Sequence, residues 1–325
     1  MNSAIPTVRT AWFIGLTLVL EIASVAWIMK SRLDLLTKPE KPSRTERNIP
    51  NMKTKRLSFA AAAALAIVLG TGAREVGSQT PTSLADAYAV IASKPFVDLT
   101  HTFGPEIPHW HGFPKEMVRT IYTNAKDGFF AQQFCHVGQW GTHIDPPAHF
   151  RPGGRTVDQI TPKEMVMPFV VIDVHEQSAR DSDYILTMND VKAWEAKHGP
   201  VPAHAFVAMR TDWSKRFSGG DTAMANKDAK GISHYPGWSL PVLKYLYLER
   251  RITASGHETT DTDPGVNASH NDFSLESWIL HHDHYQIELL ANLDKVPESG
   301  AIAIVTFPKP AGGSGFPARV IAILP

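Results

Sequence analysis

Residues 139–150 read QWGTHIDPPAHF, and the fold expected for the whole chain turns on them. Two histidines and an aspartate, His143, Asp145 and His149, fall within seven residues beside two consecutive prolines. On an extended strand, side chains two apart point to the same face, so His143 and Asp145 can reach one cation together. Gly141 permits a tight bend after Gln139. Pro146 and Pro147 end the strand and stiffen its exit, which keeps His149 and Phe150 close. A neutral imidazole beside a carboxylate suits zinc, manganese or iron. Spacing alone leaves the other reading open, a hydrogen-bonded polar loop without metal.

The composition narrows the classes. The chain has 325 residues, 43% of them apolar, enough for a full core in one large domain or two modest ones. Lys and Arg together number 32, as do Asp and Glu, and no basic patch stands out, which argues against a nucleic-acid partner. The single cysteine, Cys135, excludes an intrachain disulfide and a multi-thiolate zinc site, so any metal must take nitrogen and oxygen ligands. Cys135 itself reads as a small buried side chain in a strand.

The N-terminal part reads as targeting sequence. Residues 10–29 are apolar over a length sufficient to span a bilayer. Residues 52–73, MKTKRLSFAAAAALAIVLGTGA, have the basic start, apolar centre and small residues of a secretory signal peptide. They begin with their own methionine. The expectation is therefore that residues 1–51 are upstream sequence translated in frame ahead of a start at Met52, or else a membrane segment. Residues 74–94 read as a linker leading into a helix, and the product as exported, periplasmic or secreted. A lone cysteine suits an oxidising compartment.

Beyond residue 94 a single catalytic domain is expected over 95–325. Apolar runs rich in β-branched residues predict strands at 169–175, 205–211, 301–307 and 318–324. Helices are predicted between them: one capped by Thr187 or Asn189 and ended by Gly199, one capped by Ser239, and one opened by Ser274. This alternation gives the class α/β. Residues 95–150, rich in Gly, Pro and aromatics, read as strands and long loops. GGSGF at 312–316 lacks the context of a phosphate-binding loop and reads as a turn.

GTHIDPPAHF resembles the signature of the cyclase family, which includes bacterial kynurenine formamidases and isatin hydrolases. Gly141, Thr142, His143, Asp145 and His149 match its H-x-G-T-H-x-D core and the histidine that follows. Residues 97–114, VDLTHTFGPEIPHWHGFP, are similar to the family's opening strand and aromatic substrate loop. GHETTDTDP at 256–264 sits where the family has G-x-D-x-x-S-x-D, and IELLANL at 287–293 resembles its I-x-E-x-L-x-N-L segment.

The resemblance implies a layered β/β/α, swivelling-domain-like fold and a homo-oligomer, dimer or tetramer. It implies His143 and Asp145 as metal ligands, His149 as the acid/base group and Glu288 as a further carboxylate ligand. Two positions depart from the pattern. Gln139 replaces the first signature histidine, and Glu276 falls where a further ligand histidine would stand. The ligand set becomes Gln139, His143, Asp145, Glu276 and Glu288. Being richer in oxygen, it favours Mn over Zn and puts a second metal in question. His284 would replace the missing histidine if residues 284–288 were helical. Phe103, Trp110 and His257 are expected to contact substrate. The activity implied is metal-dependent hydrolysis of a C–N bond in an amide, formamide or cyclic amide of a small, flat molecule. Hydrolysis of a lactone or ester at the same metal, and an exported non-catalytic binder with a weakened site, are the alternatives.

Overall fold

The computed structural model describes residues 83–325. The expectations for residues 1–51, for the signal at 52–73 and for the linker up to residue 82 lie outside the described residues. Among those described, no helix is long and apolar enough to cross a membrane. The first element is a helix, α1 (Leu84–Ala92), opened by a capping box between Ser83 and Asp86.

Eleven strands follow. β1 (Phe96–Asp98), β4 (His143–Asp145), β5 (Val166–Asp173), β6 (Phe206–Arg210), β7 (Ala254–His257), β8 (Tyr285–Glu288), β9 (Ala301–Thr306), β10 (Phe316–Pro317) and β11 (Arg319–Ile323) form one sheet. Its order is β1-β11-β9-β5-β6-β7-β8-β4-β10. The centre, β5 to β8, is parallel and every other pair is antiparallel. The remaining two strands, β2 (Met117–Tyr122) and β3 (Ala131–Cys135), pair only with each other as a separate hairpin.

Central strands buried on both faces should alternate between two cores. They do. Phe169, Val171, Phe206 and Ala208 enter one cluster, while Val170, Ile172, Val207 and Met209 enter another. The second is the helical layer. It takes Val191 and Trp194 of α2 (Met188–His198), Val242 and Leu243 of α3 (Leu240–Lys244), and Ile279 and Leu280 of α4 (Ser274–His281). The first is a sheet-against-sheet layer, in which Val305 and Val320 from one end of the sheet meet Ile144 and Ile287 from the other. The sheet therefore curls on itself. Leu99 closes the curl, donating its N–H to Val320 O at 2.9 Å and accepting from Ala291 N at 2.9 Å. The result is the β/β/α layering expected.

The four predicted strands are β5, β6, β9 and β11. Details at the helices differ from expectation. Thr187, not Asn189, caps α2, through a capping box with Asp190. Ser239 occupies the cap position of α3 but donates its hydroxyl to Leu186 O at 2.6 Å instead. α3 continues as a π-helical turn, Tyr245–Glu249. α4 stops at His281 and the chain returns as strand β8 from Tyr285, so His284 is not one helical turn from Glu288. His284 stacks against Tyr247, with centroids 4.5 Å apart, and cannot replace a ligand. Cys135 lies in a strand as expected but is exposed, like most residues of the hairpin.

One glycine fixes the entry to the signature. Gly141 has φ +62°, and a Cβ there would lie 2.9 Å from Phe103 Cβ. Gly141→Ala is therefore expected to destabilise the fold by about 1–3 kcal/mol, from the left-handed backbone and the forced contact. Chemical denaturation should show it as a lower midpoint at an unchanged slope.

Candidate metal centre and active site

The pairing of β4 with β8 sets the centre. His143 stands directly opposite Glu288, and Asp145 opposite Gln286. Alternation along each strand sends all four side chains to one side, while Ile144 and Ile287 enter the core. His143 is held by a hydrogen bond between Nδ1 and Gly141 O at 2.8 Å. A carbonyl only accepts, so Nδ1 carries the proton and Nε2 presents its lone pair. That atom faces Asp145 Oδ2 at 3.4 Å and Glu288 Oε2 at 3.5 Å. Three electron-rich atoms facing one another repel unless a cation or a proton lies between them, and, against the effect of burial, the neighbouring Asp145 does raise the pKa of His143. Donors each about 2.1 Å from one ion are roughly 3–3.5 Å apart, which is the spacing found.

A second group shares Asp145. His149 Nε2 is 3.9 Å from Asp145 Oδ1 and 3.9 Å from Glu276 Oε1. Both sets, His143–Asp145–Glu288 and Asp145–His149–Glu276, have their donor atoms within 4.8 Å of one another. Asp145 Oδ1 is buried without a hydrogen-bond partner. Burial, reinforced by neighbouring carboxylates, pushes Glu276 and Glu288 well above the usual carboxylate range. Such a cluster needs a compensating cation or bound protons. Oxygen-rich, with imidazole, the donor set fits a divalent metal.

Each side chain of the cluster is positioned from behind. Pro147–His149 form a 3₁₀ turn in which His149 N donates to Pro146 O at 2.9 Å, carrying the ring back over Asp145. Glu276 lies in the first turn of α4, whose N-terminal N–H groups at Leu275 and Glu276 are capped by Asp263 at 2.9 and 3.1 Å. Gln286 donates from Nε2 to Glu288 Oε1 at 3.0 Å and accepts a hydrogen bond from the Thr262 hydroxyl. Burial lowers the pKa of His149, despite Asp145 pulling the other way, so the ring is neutral.

The floor of a cavity of about 250 Å³ is formed by His143, His149, Glu276 and Glu288. Trp110, Phe113, Phe150, Phe273 and Leu289 supply its apolar walls. Trp110 folds back over Gly112, where any Cβ would overlap its ring.

The other expected residues are placed as follows. Gln139 lines the cavity, but its amide nitrogen donates to Ser314 O at 2.7 Å and packs over Gly315, so only its carbonyl oxygen is free to ligate. Phe103 is not in the cavity wall; it packs on Gly141 and edge-on to His136. His257 is likewise absent from the wall. It is fully buried behind Glu288, with Nε2 3.3 Å from Glu288 Oε1 and Nδ1 accepting from Trp238 Nε1 at 3.3 Å. Burial lowers its pKa to about 3, so it stands behind Glu288 as a neutral ring whose Nε2 makes no hydrogen bond. Glu258 is also buried, bound to Thr211 and Ser214.

Sequence reasoning missed Asp261, Phe113, Phe273 and Gln286. Asp261 stood within a quoted motif, but nothing in the spacing separated it from its acidic neighbours. Gln286 was findable from the same period-two rule that joined His143 to Asp145, applied backwards from Glu288.

Residues 97–264 match the cyclase family model. An isatin hydrolase of Roseibium aggregatum is 36% identical over 243 residues, covering 70% of this chain and 91% of that protein. The solved isatin hydrolase A from Labrenzia aggregata, bound to benzyl benzoate, superposes with a TM-score of 0.68 at 32% identity, covering 74% of this chain and 98% of that one. An isatin hydrolase bound to the product analogue thioisatinate gives a TM-score of 0.69 at 32% identity, with 74% and 97% covered.

Replacing Glu288 with Gln keeps the shape and removes one charge from the centre. Glu288→Gln should lose most bound divalent metal by elemental analysis. Chelation should lower the unfolding temperature of the wild type, because an ion bound only by the native state stabilises it, and should change the variant much less.

Proposed function

Since the chain belongs to the cyclase family, we propose that it is a metal-dependent hydrolase of the C–N bond in a cyclic amide fused to an aromatic ring, an isatin-like lactam. The observation that carries this reading is the cluster of His143, Glu276 and Glu288 around the buried Asp145, on the floor of a cavity walled by Trp110, Phe113, Phe150 and Phe273. At about 250 Å³ the cavity lies at or below the small end of ligand sites, which suits a compact flat molecule. A divalent ion, when bound there, supplies polarisation of the carbonyl and an acidified water. The carboxylate-rich set favours manganese over zinc.

The chain's own residues do the rest. The aromatic walls clamp the ring and exclude bulk water. His149, neutral and partly open to the cavity, accepts a proton from the attacking water and returns it to the leaving nitrogen. Gln286 holds Glu288 in place. A non-catalytic binder is disfavoured, since Glu276 brings a charged ligand where the family pattern has an imidazole.

We also read the protein as an exported homo-oligomer. Met117, Phe129, Phe130 and Phe134 on the β2–β3 hairpin are each more than half exposed. An isolated two-stranded hairpin is marginal in water, so a second copy of the chain is the natural cover. Phe130→Asp combined with Phe134→Asp should shift the particle mass from oligomer to monomer in light scattering.

The function is tested with purified metal-loaded protein assayed on isatin-like lactams, formanilides and lactones. Turnover of lactams, lost on chelation and restored by Mn²⁺, is expected; inactivity on every amide would overturn the reading. His149→Ala should keep its metal and lose roughly 10²- to 10⁴-fold in kcat. Loss of metal would instead make His149 a ligand.

A further inference from the structure

We propose that Asp261 is the acceptor that reads the N–H of the scissile amide, so that N–H lactams and secondary amides are the substrate class and N-alkylated amides are rejected. This rests on the hydrolase reading above. Asp261 lies four residues beyond the end of β7 and lines the cavity together with His149, Trp110, Phe273 and Glu276. In the G-x-D-x-x-S-x-D pattern that this stretch resembles, its position is a serine.

The two carboxylate oxygens of Asp261 are not equivalent. Oδ2 accepts hydrogen bonds from the hydroxyl of the buried Tyr235 and from Thr260 Oγ1, the latter at 3.0 Å. The main-chain oxygen of Asp261 accepts from Thr259 Oγ1 at 2.9 Å, which fixes the loop. Two donors on one oxygen set the plane of the carboxylate. Among the described residues no donor reaches Oδ1, although the group is in the wall of the cavity. Oδ1 opens on the cavity, and a substrate that displaces water from it must supply a hydrogen in return or leave it bare at a cost. Next to the scissile bond of an amide, the carbonyl has no hydrogen to give, and the N–H is the only donor.

The contact also strengthens along the reaction. The water oxygen bonds to the carbonyl carbon and becomes the second carboxyl oxygen. The C–N electron pair stays on nitrogen, which takes one water proton. As the nitrogen gains that proton, its N–H becomes a stronger donor to a charged acceptor. An interaction that grows toward the transition state appears in kcat more than in KM.

The experiment compares kcat/KM on an N–H lactam and its N-methyl counterpart, in the wild type and in Asp261→Asn. The wild type should favour the N–H lactam by at least roughly 10-fold. In the variant, Tyr235 and Thr260 still donate to one atom, which must then be the amide oxygen. The amide NH₂ therefore replaces Oδ1 and faces the substrate N–H, donor against donor. The preference should fall to near one, chiefly through kcat on the N–H lactam. If the methyl group were excluded by bulk alone, the near-isosteric Asn variant would keep the preference, which overturns the proposal. Equal wild-type rates on the two lactams overturn this inference alone. Inactivity on all amides overturns the functional reading and this inference with it. Should the Asn variant not fold, Tyr235→Phe keeps the carboxylate and removes one of its two tethers; a reduced preference is expected, and an unchanged one counts against the proposal.

Discussion

Negative charge taken out of water is the constraint around which this protein is organised. Asp145, Glu276 and Glu288 are almost completely buried and mutually close. Nothing of that kind is stable without compensation. The fold answers in layers. Imidazoles at His143 and His149 stand among the carboxylates, Gln286 braces Glu288, and the convergent lone pairs leave a position suited to a cation. The curl of the sheet matters because it brings β4 and β8 against a closed apolar layer, so the acidic cluster sits on a rigid floor rather than on a loop.

The two catalytic ingredients come from different sources of order. Metal binding depends on strands, where His143 and Asp145 share a face by period two and Glu288 lies opposite by register. The cavity walls come from loops and helix starts: Trp110 folded over Gly112, Phe150 after the proline turn, Phe273 before α4, and Asp261 tethered by Tyr235. Related chains can therefore keep one chemistry while altering what the cavity admits.

What was legible in the sequence follows the same division. His143 and Asp145 were readable because a short strand converts sequence spacing directly into spatial proximity. The β5, β6, β9 and β11 strands were readable because β-branched runs with turn signals are local. Glu276 and Glu288 came from the family pattern and not from spacing, since their approach to Asp145 is made by long-range pairing and by the Asp263 cap. The reading of residues 284–288 as helix fails because residues 282–284 form the bend that lets the chain reverse into β8, and His281, His282, Asp283 and His284 carry no periodic apolar signal. His257 misled for a related reason: adjacency to the site in a motif does not say whether a side chain stands in front of a ligand or behind it. Phe103 likewise packs behind, on the Gly141 turn.

The length of β4 has a consequence for how the chain finds its structure. Three residues make too short a ladder to fix their own alignment, and a slip by one would turn Ile144 toward the cavity and drive His143 and Asp145 into the apolar layer. Only the correct alignment brings imidazole and carboxylate together against Glu288. If the proposed ion binds there, it rewards that alignment and no other, and the atoms assigned to chemistry also select the strand's register.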